Sequence, residues 1–141
     1  MVILDGNIKR ALFLDRDGVL NKPINNRPPW KHSEIQYYPE ARKIVELAVK
    51  ASYIPIIVTN QPDAGRGHLP YDEIFSINKA ISTFLNIDHS YICTHPYDGM
   101  CECRKPKPGM LLQAQKDLGI ELNKSFLIGD REKDIKAGNS V

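Results

Sequence analysis

No stretch of the sequence approaches the roughly 18 consecutive apolar residues that cross a bilayer; the longest apolar runs, such as Ile54 to Val58, fall far short. A secretory leader is not expected either, because Asp5, Lys9 and Arg10 break the amino terminus where such a leader needs its apolar region. The expectation is a cytosolic protein with no membrane partner. Charge of one sign is equally scarce. Nineteen Lys and Arg stand against seventeen Asp and Glu, a formal net charge of +2, which gives no general field for nucleic acid or acidic lipid. With no basic track interleaved with aromatics, a nucleic-acid partner is not expected, and any anion site has to be local. Nor is there an even cysteine set for a disulfide framework. Cys93, Cys101 and Cys103 crowd into eleven residues with His95 among them, which in a chain without a leader reads as metal chemistry.

What is present suits one globular domain. The 141 residues are 42% hydrophobic and 26% charged, a balance that supports a buried core. Ala11 to Leu14 form a short apolar run stopped by Asp15-Arg16-Asp17-Gly18, a buried strand with acids at its carboxyl end. Residues 21–37 hold Pro23, Pro28, Pro29 and the single Trp30 without any period, and read as a long, functionally placed loop. A helix is expected from Pro39, with Ile44, Leu47, Ala48 and Ala51 on its apolar face. It leads into a strand from Tyr53 to Val58, stopped by Thr59-Asn60-Gln61, with Pro55 near its start where a missing donor is tolerated. After a Gly-containing loop, 62–70, a second helix from Tyr71 carries Ile74, Ile77, Ile81, Phe84 and Leu85. A third strand includes Tyr91 and Ile92, and 93–107 is loop. Pro108 opens a helix bearing Met110, Leu111, Ala114 and Leu118 that Gly119 ends. Ser125 to Ile128 is a fourth buried strand, and 131–138 a last helix. This alternation predicts a parallel α/β sheet in a Rossmann-like three-layer sandwich, with its functional crevice at the strands' carboxyl ends.

Every strand delivers polar residues at that end: Asp15 and Asp17, then Thr59 and Asn60, then the Cys/His loop running into Arg104 and Lys105, then Asp130 and Asp134. An EF-hand is excluded, since Gly18 comes too early in the motif and no glutamate closes a twelve-residue loop. Cys93-x-His95 with Cys101-x-Cys103 offers three thiolates and an imidazole, a closed set for structural tetrahedral zinc that would staple the loop ending in Arg104 and Lys105. His32, His68 and His89 lack such partners and read as ordinary polar residues.

Asp15-Arg16-Asp17-Gly18-Val19-Leu20-Asn21, Val58-Thr59-Asn60-Gln61, Cys103-Arg104-Lys105-Pro106 and Ile128-Gly129-Asp130 through Asp134 occur in one order and strand context. Together they resemble the four motifs of the haloacid dehalogenase superfamily over roughly residues 10–138. The Asn60-Gln61 pair and the Cys-Arg-Lys-Pro run resemble its small capless branch, which holds the heptose bisphosphate and histidinol-phosphate phosphatases. The resemblance implies a magnesium-dependent sugar-phosphate phosphatase. Asp15 would attack phosphorus, Asp17 would serve as acid and then base, and Thr59 and Lys105 would bind phosphoryl oxygens. Magnesium would be held by Asp15, the Asp17 carbonyl and Asp130. Asn60, Gln61 and Arg104 would meet the substrate, Arg104 at a second anionic group. Lys107 is expected to face solvent, and Asp134 either orients its neighbours or is exposed.

A heptose 1,7-bisphosphate is the first expected substrate. Histidinol phosphate is the second, favoured by the mere five residues between His95 and Cys101. A catalytically weak interaction module is the alternative from another class. Family members continue into a fifth strand where this sequence ends at Asn139-Ser140-Val141. The resemblance therefore implies a single domain, 1–141, without that strand, and a sheet edge open to a partner chain or a second copy.

Overall fold

The computed structural model describes residues 8–141. Four strands, β1 (Arg10–Leu14), β2 (Tyr53–Asn60), β3 (His89–Cys93) and β4 (Phe126–Ile128), form one parallel sheet in the order β3-β2-β1-β4. Helices α1 (Ala41–Lys50), α2 (Tyr71–Leu85) and α3 (Gly109–Leu118) make the three crossovers, and α4 (Glu132–Asn139) follows β4. The period of two along β1 and β2 sorts side chains between two cores. Ala11, Phe13, Ile56 and Val58 meet Met110, Leu111, Ala114 and Ala137 of α3 and α4. Leu14 and Ile57 meet Ala41 and Val45 of α1 with Ile77, Ile81 and Leu85 of α2. The expected three-layer α/β architecture is therefore present, and no helix among the described residues is long and apolar enough to cross a membrane.

Several local expectations shift. In α1 the buried positions are Ala41, Val45 and Ala48, while Leu47 is 53% exposed. Two small residues let the helix approach the sheet closely, and the larger Leu47 turns outward. In α2 Asn78 is buried in the stripe, and Phe84 instead stacks on Tyr37 with ring centroids 4.1 Å apart. β2 runs on through Thr59 and Asn60, and its Pro55 lies opposite Leu12 of β1. The register with β3 begins one residue later, at Ile56, so no ladder on that side is interrupted. Pro108 is the cap before α3 rather than its first residue, and Gly119 ends the helix at φ 71°, the left-handed conformation that glycine adopts at least cost. β4 is not buried as expected: Phe126 is 62% exposed, because β4 pairs only with β1 among the described residues.

The loop of residues 21–37 is braced. Single bridges join Asn21 to Tyr37 and Ile24 to Arg27, a 3-10 turn spans His32–Glu34, and the Lys22 amide donates to Gln36 O at 2.7 Å. Because all four strands run the same way, their carboxyl ends share one rim, and this loop stands over it.

Candidate active site

Asp15 is the first residue past β1, and its amide donates to Ile128 O at 2.9 Å, joining it to β4. Its carboxylate is almost wholly buried. Lys105 Nζ donates to Asp15 Oδ1 at 2.8 Å, to Val58 O at 3.0 Å, and to the Asp134 carboxylate. Carboxylate oxygens of Asp15, Asp130 and Asp134 all lie within 4.8 Å of one another. Two glycines make this crowding feasible. Gly18, at φ +92°, and Gly129 have no side chain where a Cβ would run into Asp130 and Asp134 respectively. Burial pushes the Asp15 carboxyl up to about 6; Lys105 opposes this, while Asp134 and Asp17 reinforce it. Three acids around one lysine are thus short of positive charge, and an all-oxygen set suits a hard divalent cation.

Asp17 is held differently. Its carboxylate accepts from Arg16 Nε and Nη2 at 3.1–3.2 Å, from Asn21 Nδ2 at 2.8 Å and from Gln61 Nε2 at 2.6 Å. Gln61 Nε2 also donates to Thr59 Oγ1 at 2.9 Å. Arg16 is fully buried, and its Nη1 reaches Asn78 Oδ1 at 3.3 Å, which explains the polar residue in the apolar stripe of α2.

A cavity of about 200 Å³ opens above these groups, lined by Asp15, Asp17, Asn60, Lys105, Asp130 and Asp134 among others. The expected site residues Thr59, Gln61 and Arg104 stand outside that lining. Thr59 and Gln61 are buried behind Asp17. Arg104 turns into the Cys/His loop, donating from Nε to Asp98 Oδ1 at 2.6 Å and from Nη1 to His95 O at 3.2 Å. Asn60 lines the cavity, and its amide also grips the Lys105 main chain twice, donating to its O at 3.1 Å and accepting from its N–H at 3.0 Å. Asp134 is 2% exposed, so of its two readings the orienting acid holds. Lys107 faces partly to solvent, with Nζ on Cys101 O at 2.9 Å. Sequence reasoning missed Arg16, Asn21, Arg27, Arg66, Arg131 and Lys133. Only Arg16, enclosed between two motif acids, carried a signal by position.

In the Cys/His loop, Cys103 Sγ lies 2.9 Å from Cys93 Sγ, 3.3 Å from Cys101 Sγ and 3.3 Å from His95 Nδ1. Burial and the adjacent thiols push the Cys103 thiol up. Four soft donors gathered around one point form a set that can hold a metal ion.

With this geometry established, similarity to known proteins becomes informative. A family profile described as HAD-hydrolase-like matches residues 102–141. The chain is 40% identical to D-glycero-alpha-D-manno-heptose-1,7-bisphosphate 7-phosphatase of Burkholderia mallei, covering 94% of this chain and 75% of that one. It is 35% identical to the corresponding beta-anomer enzyme of Pasteurella multocida, covering 95% and 78%. This chain belongs to the haloacid dehalogenase-like family of phosphatases, phosphoric monoester hydrolases. Within that family its particular likeness is to heptose bisphosphate phosphatases. Among solved structures it is similar to the D,D-heptose 1,7-bisphosphate phosphatase of B. bronchiseptica complexed with magnesium and phosphate, at TM-score 0.83, 25% identity and coverage of 93% and 75%. A HAD-like phosphatase from Mesorhizobium loti also superposes at TM-score 0.83, with 29% identity and coverage of 96% and 71%.

Proposed function

We propose that this phosphatase removes the 7-phosphate of a D-glycero-D-manno-heptose 1,7-bisphosphate through an aspartyl phosphate on Asp15. The observation that carries this reading is the buried Asp15 carboxylate, tied to Lys105 and grouped with Asp130 and Asp134 at the carboxyl end of β1. The names of the relatives supply the sugar. Lys105 places its ammonium against the phosphoryl oxygens, and Asp134 and the Val58 carbonyl aim it. The Thr59 hydroxyl, accepting from Gln61, keeps its own proton to donate to the phosphoryl group. Asp15 attacks phosphorus as the bond to the sugar oxygen breaks, and Asp17 gives that oxygen a proton. Asp17 then takes a proton from the water that hydrolyses the acyl phosphate, which regenerates Asp15 and frees inorganic phosphate.

The Asp15 and Asp130 carboxylates fit magnesium, which the Asp17 carbonyl would help to hold and which when bound would supply charge neutralisation at the phosphoryl oxygens. Five cations and five acids line the cavity, so a divalent ion there leaves a net +2 to receive a dianion. Cys93, His95, Cys101 and Cys103 fit structural zinc, which when bound would hold the loop that ends in Lys105.

The test is phosphate release with magnesium from both anomers of the heptose bisphosphate, from the heptose 7-phosphate and from histidinol phosphate. The bisphosphate is expected to be preferred, and Asp15→Asn is expected to lose at least about a thousandfold in turnover. Preference for histidinol phosphate would overturn the sugar assignment, and substantial turnover by Asp15→Asn would overturn the nucleophile.

A further inference from the structure

The acids that line the cavity divide by what neutralises them. Asp15 and Asp134 share Lys105, Asp17 is paired with Arg16, and the exposed Asp130 joins Asp15 and Asp134 in the set that suits a divalent ion. Asp63 also lines the cavity and belongs to none of these arrangements. It is 7% exposed, yet no lysine or arginine among the described residues lies within ion-pair distance of it. Its Oδ2 accepts from the Trp30 indole at 2.9 Å. Its Oδ1 stands 3.5 Å from His68 Nδ1 and accepts no hydrogen bond among the described residues. A carboxylate has about four acceptor positions, and a buried one left underused costs free energy that a bound donor recovers.

This carboxylate is held in place by main-chain and ring contacts on both sides. The His68 amide donates to Asp63 O at 2.9 Å and the Arg66 amide to Pro62 O at 3.1 Å, in a turn that Gly67 passes at φ +84°. Trp30 is fixed through its own amide, on Glu34 Oε1 at 2.9 Å, and by the Arg27 guanidinium, 4.0 Å over the indole ring. The loop of residues 21–37 and the loop after β2 therefore meet at Asp63. Charge decides what such a group can receive. A phosphate is repelled by it, and an ammonium would have to enter a cavity that a divalent ion leaves at net +2. A neutral donor meets neither penalty. The hydroxyls of a sugar are such donors, and a hydrogen bond from one of them to a charged acceptor is of the stronger kind.

We propose that Asp63 determines specificity for the sugar itself: its carboxylate, oriented by the Trp30 indole, accepts a hydroxyl of a polyhydroxylated phosphate ester bound in the cleft. The proposal rests on the sugar-phosphate reading above and deepens it, because it names the group of this chain that reads the neutral part of the substrate.

Asp63→Asn tests it, since the amide oxygen still accepts from Trp30 while the charge and the acceptor left for the substrate are lost. Its kcat/KM should fall about ten- to hundredfold on both the heptose 1,7-bisphosphate and the heptose 7-phosphate, mainly through KM. That loss should exceed the loss on p-nitrophenyl phosphate, whose leaving group carries no hydroxyl, by at least about tenfold. Losses of equal size on all three substrates, a fall carried by kcat, or no loss on the heptose compounds overturns the proposal while leaving the phosphatase reading in place. A wild type that prefers histidinol phosphate, and loses that preference in Asp63→Asn, makes the carboxylate an ammonium partner and overturns the hydroxyl reading as well. If wild type turns over neither heptose compound, the sugar assignment fails separately. The role of Asp63 is then decided by calorimetric binding to Asp15→Asn protein with magnesium, mannose 6-phosphate against hexyl phosphate. Tighter binding of the sugar phosphate that disappears on adding Asp63→Asn supports it, and equal binding of the two, or a preference that survives Asp63→Asn, overturns it.

Discussion

The Asp17 carboxylate receives hydrogen bonds from Arg16, Asn21 and Gln61, and only the first two are near it in sequence. Gln61 is the one that also touches Thr59, so in the mechanism proposed above it would couple the proton-transfer acid to a phosphoryl-binding residue. Gln61→Ala is expected to slow hydrolysis of a sugar phosphate by about ten- to hundredfold. Hydrolysis of p-nitrophenyl phosphate, whose leaving group needs little protonation, should slow far less. Comparing kcat on the two substrates checks this, and equal slowing would make Gln61 a packing residue. At this scale the sequence exposes residue types but not aim. Asp15 and Asp130 were readable because each stands just past a strand whose direction was readable, and Lys105 because the Cys/His loop after β3 runs into it. Asn60 read as a substrate contact, whereas its amide also clamps the Lys105 main chain, a pairing across 45 residues that no local pattern encodes. Asp134 stayed open between two readings until its burial was known.

Among the elements, the braced loop of residues 21–37 is held most visibly by one ion pair. Glu34 accepts from Arg27 Nη2 at 2.7 Å and from the Trp30 amide at 2.9 Å, and the Trp30 indole donates to Asp63 Oδ2 at 2.9 Å. The Arg27 hydrogen bond first, and then that from the Trp30 amide, lower the Glu34 pKa to about 2. Since the folded value lies below the ordinary one, the brace is fully present above the ordinary glutamate range, near 4.5, and is lost as pH falls toward about 2. The fluorescence of the single Trp30 should therefore change across that window before far-UV dichroism does, and Glu34→Gln should show the low-pH signal at neutral pH. A Trp30 signal that moves only with dichroism would dismiss the brace. The Cys/His loop makes a parallel claim: protein prepared without chelators should carry one zinc per chain by elemental analysis, and the double variant Cys101→Ser, Cys103→Ser none. Such loops were readable only where composition was extreme. Three cysteines and a histidine announced themselves, whereas Arg27 and Glu34, seven residues apart in a stretch with no period, did not. The helices show the converse. Pro108 and Gly119 marked α3 to within a residue, yet the apolar face of α1 was misplaced because a pattern of apolar letters does not distinguish a buried Ala41 from an exposed Leu47.

Over the whole molecule, protection is distributed unevenly across the sheet. β2 lies between two strands with Ile56, Ile57 and Val58 fully buried, and Ile57→Ala there belongs to the class that costs about 2–5 kcal/mol. β4 has three residues, one neighbouring strand among the described residues and an exposed Phe126. The Asp15 amide bond to Ile128 O ties the proposed nucleophile to that weaker strand, and Asp130 follows two residues later. Sub-global opening of β4 is therefore expected to disable catalysis without dissolving either core. In urea, phosphate release should fall at concentrations where dichroism is still native, and the Asp15 amide should exchange its hydrogen faster than that of Ile57. Coincident loss of activity and dichroism would mean that β4 opens only with the whole domain. If activity falls first on warming too, and returns on cooling, one short strand acts as a reversible thermal throttle.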